Sequence, residues 1–367
     1  MPFSKFQDVA LNHPASGYFS GAGSVGRTGD FITSPEVGPL FGAIIASALD
    51  RWWDELGQPR PFTVVEAGAG IGTLAATIGA ANPECLQALN YITVEKSEAI
   101  RSKQGDRLNV KNVTNVMRGK DGSLSSLAVT ALEDLPKQRF VGVVLANELL
   151  DNLPVDLVVM ENGMWHQVGV QKGDFGELKE VSIPLKEGSG LLNAARHFGE
   201  GATEGSRLAL QGSSQDWLRR ALGLVERGRV VVLDYATTSR SMVDAPMEDW
   251  LRTYRNQRPG TSPLDQPGTQ DITCDVAIDQ LEHVAPITHN TSQADFLEAH
   301  GLNNFLSDAR EVWHGRAELG DLAAVRARAR VQEGRILTSE PGLGAHRVLE
   351  WVVGSDKRPE PDPPIKP

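Results

Sequence analysis

The sequence of 367 residues has few cysteines, no long apolar run and no cluster of positive charge, and each shortage excludes a class of protein. The two cysteines, Cys85 and Cys274, cannot form a disulfide framework, which is typical of a reducing compartment. The longest apolar stretch, Pro39 to Leu49, is too short to span a bilayer, and the N-terminus has no apolar signal-peptide core. We therefore expect a cytoplasmic protein with no membrane partner.

Positive charge is also in short supply, because 36 basic residues face 47 acidic ones and the formal net charge is -11. The sequence contains no cluster of lysine and arginine with interleaved aromatic residues. No nucleic-acid partner is expected, since binding to phosphates needs such a basic surface. The length predicts about two to three domains, or one core with large insertions.

The most informative segment is a glycine-rich turn that follows the apolar run Phe62 to Val65. It reads Glu-Ala-Gly-Ala-Gly-Ile-Gly-Thr from Glu66 to Thr73, and a helical pattern begins directly after it. Glycine lets a ligand lie against the main chain, and in open α/β sheets such a turn lies where ligands bind. The spacing matches neither the dinucleotide motif nor the P-loop. It resembles motif I of S-adenosylmethionine-dependent methyltransferases, and the alternative is an ordinary tight turn.

An alternating α/β pattern surrounds this turn. Apolar runs, which indicate a parallel sheet covered on both faces, predict strands at 62–66, 91–95, 113–117, 140–146, 228–234, 284–288 and 347–353. Val155 to Leu185 predicts a β-rich insertion after the fourth strand, and Thr237 to Gln270 a long loop after the fifth. Residues 1–35 are interpreted as an irregular N-terminal arm, and the proline-rich tail 355–367 as disordered.

Two polar segments follow strands at the edge of the sheet where the glycine turn lies. Glu95 ends the second strand about 20 positions after the glycines, where an acid accepts hydrogen bonds from ribose hydroxyls. The alternative for Glu95 is a surface acid before a helix. After the fourth strand, Asn147 is suited to orient an acceptor nitrogen, and Glu148 and Asp151 to grip a planar guanidinium group. The alternative is that Asn147 caps a helix and Glu148 lies in its first turn. The helix cap and the acceptor site are compatible with each other.

Seven segments, which follow one another in the order known from the family, together resemble the S-adenosylmethionine-dependent methyltransferases called MidA-like. This family includes the mitochondrial complex I assembly factor and its bacterial relatives. The segments are Gly29–Gly42, Val65–Ala75, Val94–Arg101, Ala146–Asp156, Leu233–Ala236, Pro267–Val276 and Gly342–Trp351. Relatives commonly have a histidine where this chain has Asp275. The difference implies another methyl acceptor or another catalytic efficiency in this chain. A metal site from Asp271, Cys274, Asp275 and His283 has no spacing to support it, so no metal is expected.

The resemblance implies a Rossmann-like class I methyltransferase fold with a mostly parallel sheet, and S-adenosyl-L-methionine as the cofactor. It implies methylation of an arginine in a protein substrate; the alternatives are a small-molecule methyltransferase and a cofactor-binding assembly factor that acts as a scaffold. Together with the residue-level interpretation it predicts cofactor contacts from Glu66, Gly68, Gly70, Gly72, Glu95, Asp30, Phe31 and Ser34. Asn147, Glu148 and Asp151 are the predicted catalytic residues, and Asp271 and Thr273 the predicted substrate contacts.

The expected domain organisation follows from the same pattern. Residues 1–60 form an arm and helix that cover the cofactor site, and residues 61–154 and 206–354 form the methyltransferase core. Residues 155–205 form the β-rich insertion, and residues 355–367 the tail. The long loop contains Arg240, Arg252, Arg255 and Arg258, which the small-molecule alternative assigns to an acidic ligand.

Overall fold

The computed structural model describes residues 1–20, 33–110, 127–255 and 258–354. The strand predicted at 113–117 and the tail at 355–367 lie outside these residues. The helices of the described chain are α1 (Phe3–Asn12), α2 (Ser34–Val37), α3 (Pro39–Glu55), α4 (Thr73–Ala81), α5 (Glu98–Arg101), α6 (Gly190–Phe198), α7 (Gly212–Leu224), α8 (Ser239–Asp244), α9 (Met247–Trp250), α10 (Ile278–Glu282), α11 (Gln293–Ala299), α12 (Leu302–Arg316) and α13 (Leu322–Leu337).

The strands are β1 (Phe62–Ala67), β2 (Leu89–Val94), β3 (Asn109–Val110), β4 (Ala128–Leu132), β5 (Phe140–Asn147), β6 (Asp156–Glu161), β7 (Met164–Lys172), β8 (Leu178–Pro184), β9 (Arg207–Leu210), β10 (Val225–Asp234), β11 (Ala236–Thr237), β12 (Leu251–Arg255), β13 (Arg258–Pro259), β14 (Asp271–Cys274), β15 (Val276–Ala277), β16 (His289–Ser292) and β17 (Arg347–Val353). Short 3-10 helices include Tyr18–Ser20, Ser102–Asp106 and Leu150–Asn152.

The central sheet has the strand order β16-β17-β10-β5-β1-β2-β4-β3. All neighbours run parallel except β17, which is antiparallel to both β10 and β16. The pairing of Asn147 on β5 with Leu233 on β10 brings the ends of these two strands together. This arrangement confirms the predicted Rossmann-like fold with a mostly parallel sheet.

Two apolar layers cover the faces of this sheet. On one face, α3 buries Ile44, Leu49 and Trp52 at helical spacing, and on the other face α7 buries Leu218 and Ala221. Strands that are apolar on both sides are stable only between two such layers, because both of their faces must leave water. The carboxyl ends of the strands are left for polar residues.

A second, antiparallel sheet with the order β8-β7-β6-β9 follows β5 in the chain, where the β-rich insertion is predicted. Helix α1 packs against it, so the prediction of an irregular arm is wrong for Phe3–Asn12. The reason is an apolar face at helical spacing, in which Phe3, Phe6, Ala10 and Leu11 are buried together with the strands of this sheet.

Two further predictions need correction. The segment Thr237 to Gln270, predicted as a long loop, contains α8 and α9 together with β12, which pairs with β13 and β14. The strand predicted at 284–288 begins only at His289. Pro286 lies inside the predicted range, and proline has no N–H to donate to a ladder.

Candidate active site

A cleft of about 570 Å³ opens where β1, β2 and β5 end. This volume lies within the range of small-molecule and cofactor sites. Tyr18 and Phe19, which follow α1, contribute to its lining together with residues of the glycine turn. The cleft therefore lies at the edge of the sheet at which ligands bind in this class of fold.

The glycine turn forms one wall of the cleft. Gly68 and Gly70 have φ angles of 70° and 55°, which lie in the left-handed region that favours glycine, and both line the cleft. The amides of Gly68 and Ala69 donate to the carbonyl of Val94 and so tie the turn to β2. Gly72 lies further on, at the start of α4, where an added Cβ would come within 2.4 Å of Leu108 Cδ1. Gly68 and Gly70 thus face the cleft, and Gly72 serves helix packing.

Two carboxyl groups flank this turn. Glu66 is buried at the end of β1, and its Oε2 accepts a hydrogen bond of 2.7 Å from the Tyr91 hydroxyl. Burial raises the pKa of Glu66 to about 7. Glu95 accepts from the Gly70 amide at 3.1 Å through Oε2 and from the Ser97 amide at 2.9 Å through Oε1. Burial also raises the pKa of Glu95.

The Glu95 carboxylate is thus fixed by two backbone amides, and each of its oxygens keeps a lone pair for a ligand. The amide from Gly70 links it directly to the glycine turn, a contact that sequence spacing does not show. A cofactor with vicinal hydroxyls fits this arrangement. The glycine backbone leaves room for the cofactor on one side, and the fixed Glu95 carboxylate lies beside the place for its hydroxyls.

The opposite wall begins with Glu148, directly after β5. Its φ angle is 49°, and its amide donates to the carbonyl of Leu233. Its Oε1 accepts from Asn147 Nδ2 and from the Ser34 amide, each at 3.1 Å. Burial, reinforced by the nearby Asp151, raises the pKa of Glu148 to about 8. Glu148 lines the cleft.

The 3-10 helix Leu150–Asn152 carries Asp151 into the same wall. Asp234 Oδ2 accepts from the amides of Leu150 and Asp151, at 2.9 and 3.3 Å. The capping function that the sequence left open for Asn147 is therefore performed by Asp234. Burial, then the charges of nearby carboxylates, raise the pKa of Asp151 well above its usual range, and burial raises that of Asp234 to about 8.

Strand β14 completes the wall with Asp271 and Thr273, the predicted substrate contacts. Asn152 Nδ2 donates to Asp271 Oδ1 at 3.0 Å, so β14 is attached to the 3-10 helix that carries Asp151. We call Glu148, Asp151, Asp234, Asp271 and Asp275 the acid cluster. The charges of neighbouring members raise the pKa of Glu148, Asp151 and Asp234.

Three polar atoms in this wall are buried and have no hydrogen-bond partner within the described ranges of the chain. They are Asn147 Oδ1, Asp151 Oδ1 and Thr273 Oγ1. All three residues line the cleft. Because buried polar atoms are normally paired, unpaired ones in a cleft mark a place for ligand donors.

Ser34 contributes to the site through its backbone rather than its hydroxyl. The amide binds Glu148, whereas the side chain is buried and donates to Gln293 Oε1 at 2.8 Å. Asp30 and Phe31 lie outside the described residues, and their assignment to the cofactor stays a prediction.

Sequence reasoning missed two residues near the acid cluster. Asp234 lies in the segment Leu233–Ala236, which carried part of the resemblance but received no role. Arg252 was assigned only to an acidic ligand, yet it forms an ion pair with Asp275. Arg240 pairs with Asp244 and Arg255 donates to Gln266, so these arginines also contact groups of the chain itself.

The structure also bears on membranes and metals. In the part of the chain that it describes, none of the helices combines the length and apolarity that a membrane span requires. Within the same residues, no group of three or more histidine, cysteine, aspartate or glutamate side chains is arranged to hold a metal ion.

A glycine turn after the first strand of this sheet, with an acid at the end of the second strand, is typical of Rossmann-like folds that bind nucleotides, among them the S-adenosylmethionine-dependent methyltransferases. Residues 44–296 match the family described as "Putative S-adenosyl-L-methionine-dependent methyltransferase", and the chain belongs to this family. The cofactor of the protein is S-adenosyl-L-methionine, and the protein is a methyltransferase.

Curated relatives and solved structures agree with this assignment. The "Protein arginine methyltransferase NDUFAF7 homolog, mitochondrial" of Drosophila melanogaster is 28% identical over 309 residues, which cover 79% of this chain and 68% of the relative. The Bos taurus "Protein arginine methyltransferase NDUFAF7, mitochondrial" is 26% identical over 303 residues, which cover 77% of this chain and 65% of the relative. The chain thus spans about two thirds of the length of these relatives.

Two structures of Burkholderia thailandensis proteins share the complete fold. One is 28% identical with a TM-score of 0.78 and covers 97% of this chain and 88% of its own. The other, bound to S-adenosyl-homocysteine, is 27% identical with a TM-score of 0.77 and covers 97% of this chain and 89% of its own.

The comparison corrects one expectation. The prediction of a cytoplasmic protein is wrong, because the curated relatives from Drosophila melanogaster, Bos taurus and Homo sapiens are named as mitochondrial. The composition could not have shown this, since a chain with few cysteines and no apolar signal is equally compatible with other reducing compartments.

Proposed function

We propose that this methyltransferase transfers a methyl group to an arginine side chain of a protein. The observation that carries the proposal is the acid cluster beside the glycine turn, with Asp151 Oδ1 buried in the cleft wall and unpaired among the described residues. A guanidinium group presents a planar set of donors and a positive charge, which such carboxylates match. The relatives named as protein arginine methyltransferases support the same acceptor.

The cofactor half of the cleft is assigned to Glu66, Gly68, Gly70 and Glu95. Gly68 and Gly70 let the main chain approach the cofactor, and Glu95 accepts hydrogen bonds from the ribose hydroxyls. Glu66 orders the turn from the end of β1 through its bond to Tyr91. When bound, the cofactor supplies an electrophilic methyl group on a sulfonium ion, and the protein supplies position and electrostatics.

The acceptor half is assigned to Asn147, Glu148 and Asp151, with Asp271 and Thr273 as further contacts. Glu148 and Asp151 hold the guanidinium group, and the unpaired Oδ1 of Asn147 accepts from its N–H groups. The attacking nitrogen must lose a proton as its new bond to carbon forms. Asp151 is suited to receive it, because a buried carboxylate with a raised pKa is a stronger base than an exposed one.

The proposed domain organisation assigns 61–154 and 206–354 to the methyltransferase core and 155–205 to the insertion. Residues 1–60 cover the cofactor site. The position of Tyr18 and Phe19 in the lining of the cleft supports the covering role of residues 1–60. Helix α1 also packs on β6 and β7, and β9 at Arg207–Leu210 pairs with β6, so the insertion contacts both neighbouring segments.

Methyl transfer to matched peptides tests the proposed acceptor. The enzyme is incubated with cofactor carrying a deuterated methyl group and with peptides that contain either arginine or lysine at one position. We expect deuterated methyl only on the arginine peptides, located by fragmentation mass spectrometry. Label on lysine, or on small molecules of an undialysed cell extract with none on protein arginine, would contradict the proposal. Cofactor binding without any transfer would favour a scaffold.

A further inference from the structure

Arg252 lies on β12, the strand that pairs with β14 of the acceptor wall. It pairs across the strands with Thr273 of β14, whose side chain lines the cleft. Its guanidinium group forms an ion pair with Asp275 and lies 5.4 Å from the centre of the Tyr235 ring. A second nitrogen donates to the carbonyl of Asp249. Arg252 is therefore fixed in position from three sides.

The elements that hold Arg252 are those that hold Asp151. Tyr235 follows Asp234, which binds the amides of Leu150 and Asp151. Strand β14 is attached through Asn152 to the same 3-10 helix. The positive charge of Arg252 is thus built into the framework that orients the acid cluster, and it does not line the acceptor wall with Asp271 and Thr273.

Burial of several carboxyl groups together has an electrostatic cost. Each ionised member raises the free energy of ionising the next, so without a compensating charge the cluster retains protons. A protonated Asp151 would offer a neutral acid to a cationic acceptor, which weakens the hydrogen bonds it forms. A fixed cation on the strand next to β14 opposes this protonation.

We infer that Arg252 is a positioning residue of the acceptor site: it is held by Asp275 and Tyr235 beside β14, and its charge favours the ionised form of Asp151 that receives the cationic acceptor. This inference rests on the proposed function for its consequence in catalysis. Arg252 lowers the pKa of Asp151 against the larger effects of burial and of neighbouring acids. The titratable and charged groups around Asp151 and Arg252 are Glu148, Asp234, Tyr235, Tyr254, Asp271, Cys274, Asp275 and His346.

The test measures the ionisation of Asp151 directly. Protein with ¹³C-labelled aspartate carboxyl groups is titrated by NMR, and the Asp151 signal is identified by its loss in Asp151→Asn. In Arg252→Met, which keeps the length of the side chain but removes its charge, we expect the midpoint of Asp151 to rise by about one pH unit or more. Arg252→Lys, which keeps the charge, leaves the midpoint close to that of the unaltered protein.

A second variant should shift the titration midpoint of Asp151 in the opposite direction. Asp275→Asn removes a negative charge and leaves the charge of Arg252 uncompensated, so the midpoint of Asp151 falls. This variant decides the question if Arg252→Met does not fold. An Asp151 midpoint that is unchanged in folded Arg252→Met, or in Asp275→Asn, would overturn the inference.

The catalytic consequence has its own measurement. The acidic limb of kcat/KM for an arginine peptide moves to higher pH in Arg252→Met, with about a tenfold loss below the limb and recovery above it. A merely structural residue would lower activity equally at every pH. If the unaltered protein does not methylate arginine, the proposed function fails. The NMR titration still tests whether the charge of Arg252 controls the ionisation of Asp151.

Discussion

At the scale of single residues, the site consists of carboxyl groups whose ionisation is set by burial. Glu95 and Asp151 illustrate two solutions. Glu95 is held by two backbone amides and stays an acceptor for neutral hydroxyls. Asp151 Oδ1 has no hydrogen-bond partner among the described residues, and the pKa of this carboxyl group depends on the charges around it. The first arrangement suits a ribose, and the second suits a cation.

Replacement of Glu95 by glutamine tests the ribose assignment. We expect the Kd for S-adenosylmethionine to rise by about 10- to 100-fold, because a hydrogen bond to a charged acceptor contributes roughly 1.5 to 3 kcal/mol. Isothermal titration calorimetry measures the change. Glu98→Gln, an exposed acid at the start of α5, is the matched control. An unchanged Kd in Glu95→Gln would remove the assignment.

Asp151→Asn keeps the shape of the side chain and removes its charge. We expect kcat/KM for an arginine peptide to fall by about 100-fold, since loss of one partner of a buried charged pair costs roughly 2 to 5 kcal/mol. The Kd of the cofactor should change little. Steady-state kinetics with a saturating cofactor measure the loss, and Asp216→Asn on the exposed face of α7 serves as the control. Equal losses in both variants would argue against a place for Asp151 in the acceptor site.

At the scale of elements, the glycine turn depends on two properties of glycine. One is a positive φ angle, and the other is the absence of a side chain where neighbouring residues pack closely. Gly72 has a φ angle of 83°, and a Cβ there would come within 2.4 Å of Leu108 Cδ1. Gly57 has a φ angle of 78° with no atom within 4 Å of its added Cβ. The two positions therefore separate backbone strain from steric overlap.

Alanine at these positions should give different losses of stability. For Gly57→Ala we expect the free energy of unfolding to fall by about 1 kcal/mol, from the positive φ alone. For Gly72→Ala we expect about 2 to 4 kcal/mol, because overlap at the start of α4 is added to the strain. Urea unfolding measures both. Equal losses would show that the packing around Leu108 adjusts freely.

Particular elements show how far the sequence predicts this fold. The runs at β1, β5 and β10 are apolar and continuous, so they predict buried parallel strands by themselves. Glu95, Glu148 and Asp151 follow such strands and could be placed at one edge. Asp234 ends the predicted strand β10 and could be placed there too, but its bonds to the amides of Leu150 and Asp151 depend on the fold of the loop after β5. Arg252 could not be placed, because its contacts depend on the pairing of β12 with β14. The fold of α1 against the second sheet is likewise a tertiary contact.

At the scale of the whole molecule, the buried acids make stability depend on pH. The folded-state pKa of Glu66 is about 7, and those of Glu148 and Asp234 are about 8. Their unfolded values are about 4, so the folded chain binds more protons above that pH. Stability from these groups is therefore lost as the pH rises through their folded values. The lowered pKa of His300 and of His346, about 4 in each, acts in the opposite sense only below about pH 6.5.

The free energy of unfolding should consequently be lower at about pH 8 than at about pH 6.5, by roughly 4 kcal/mol. Urea unfolding of the cofactor-free protein at both values measures the difference. Glu148→Gln, which cannot ionise, should reduce the difference, and Glu187→Gln at an exposed ion pair should not. A rise in stability from pH 6.5 to 8 would contradict the environments assigned to these acids.

The most direct test of the central claim is a crystal structure with S-adenosyl-homocysteine and an arginine peptide bound together. We predict the ribose at Glu95, the main chain of Gly68 and Gly70 against the cofactor, and the guanidinium group between Glu148 and Asp151. A peptide whose arginine lies outside the acid cluster, or a cofactor bound away from the glycine turn, would contradict the account.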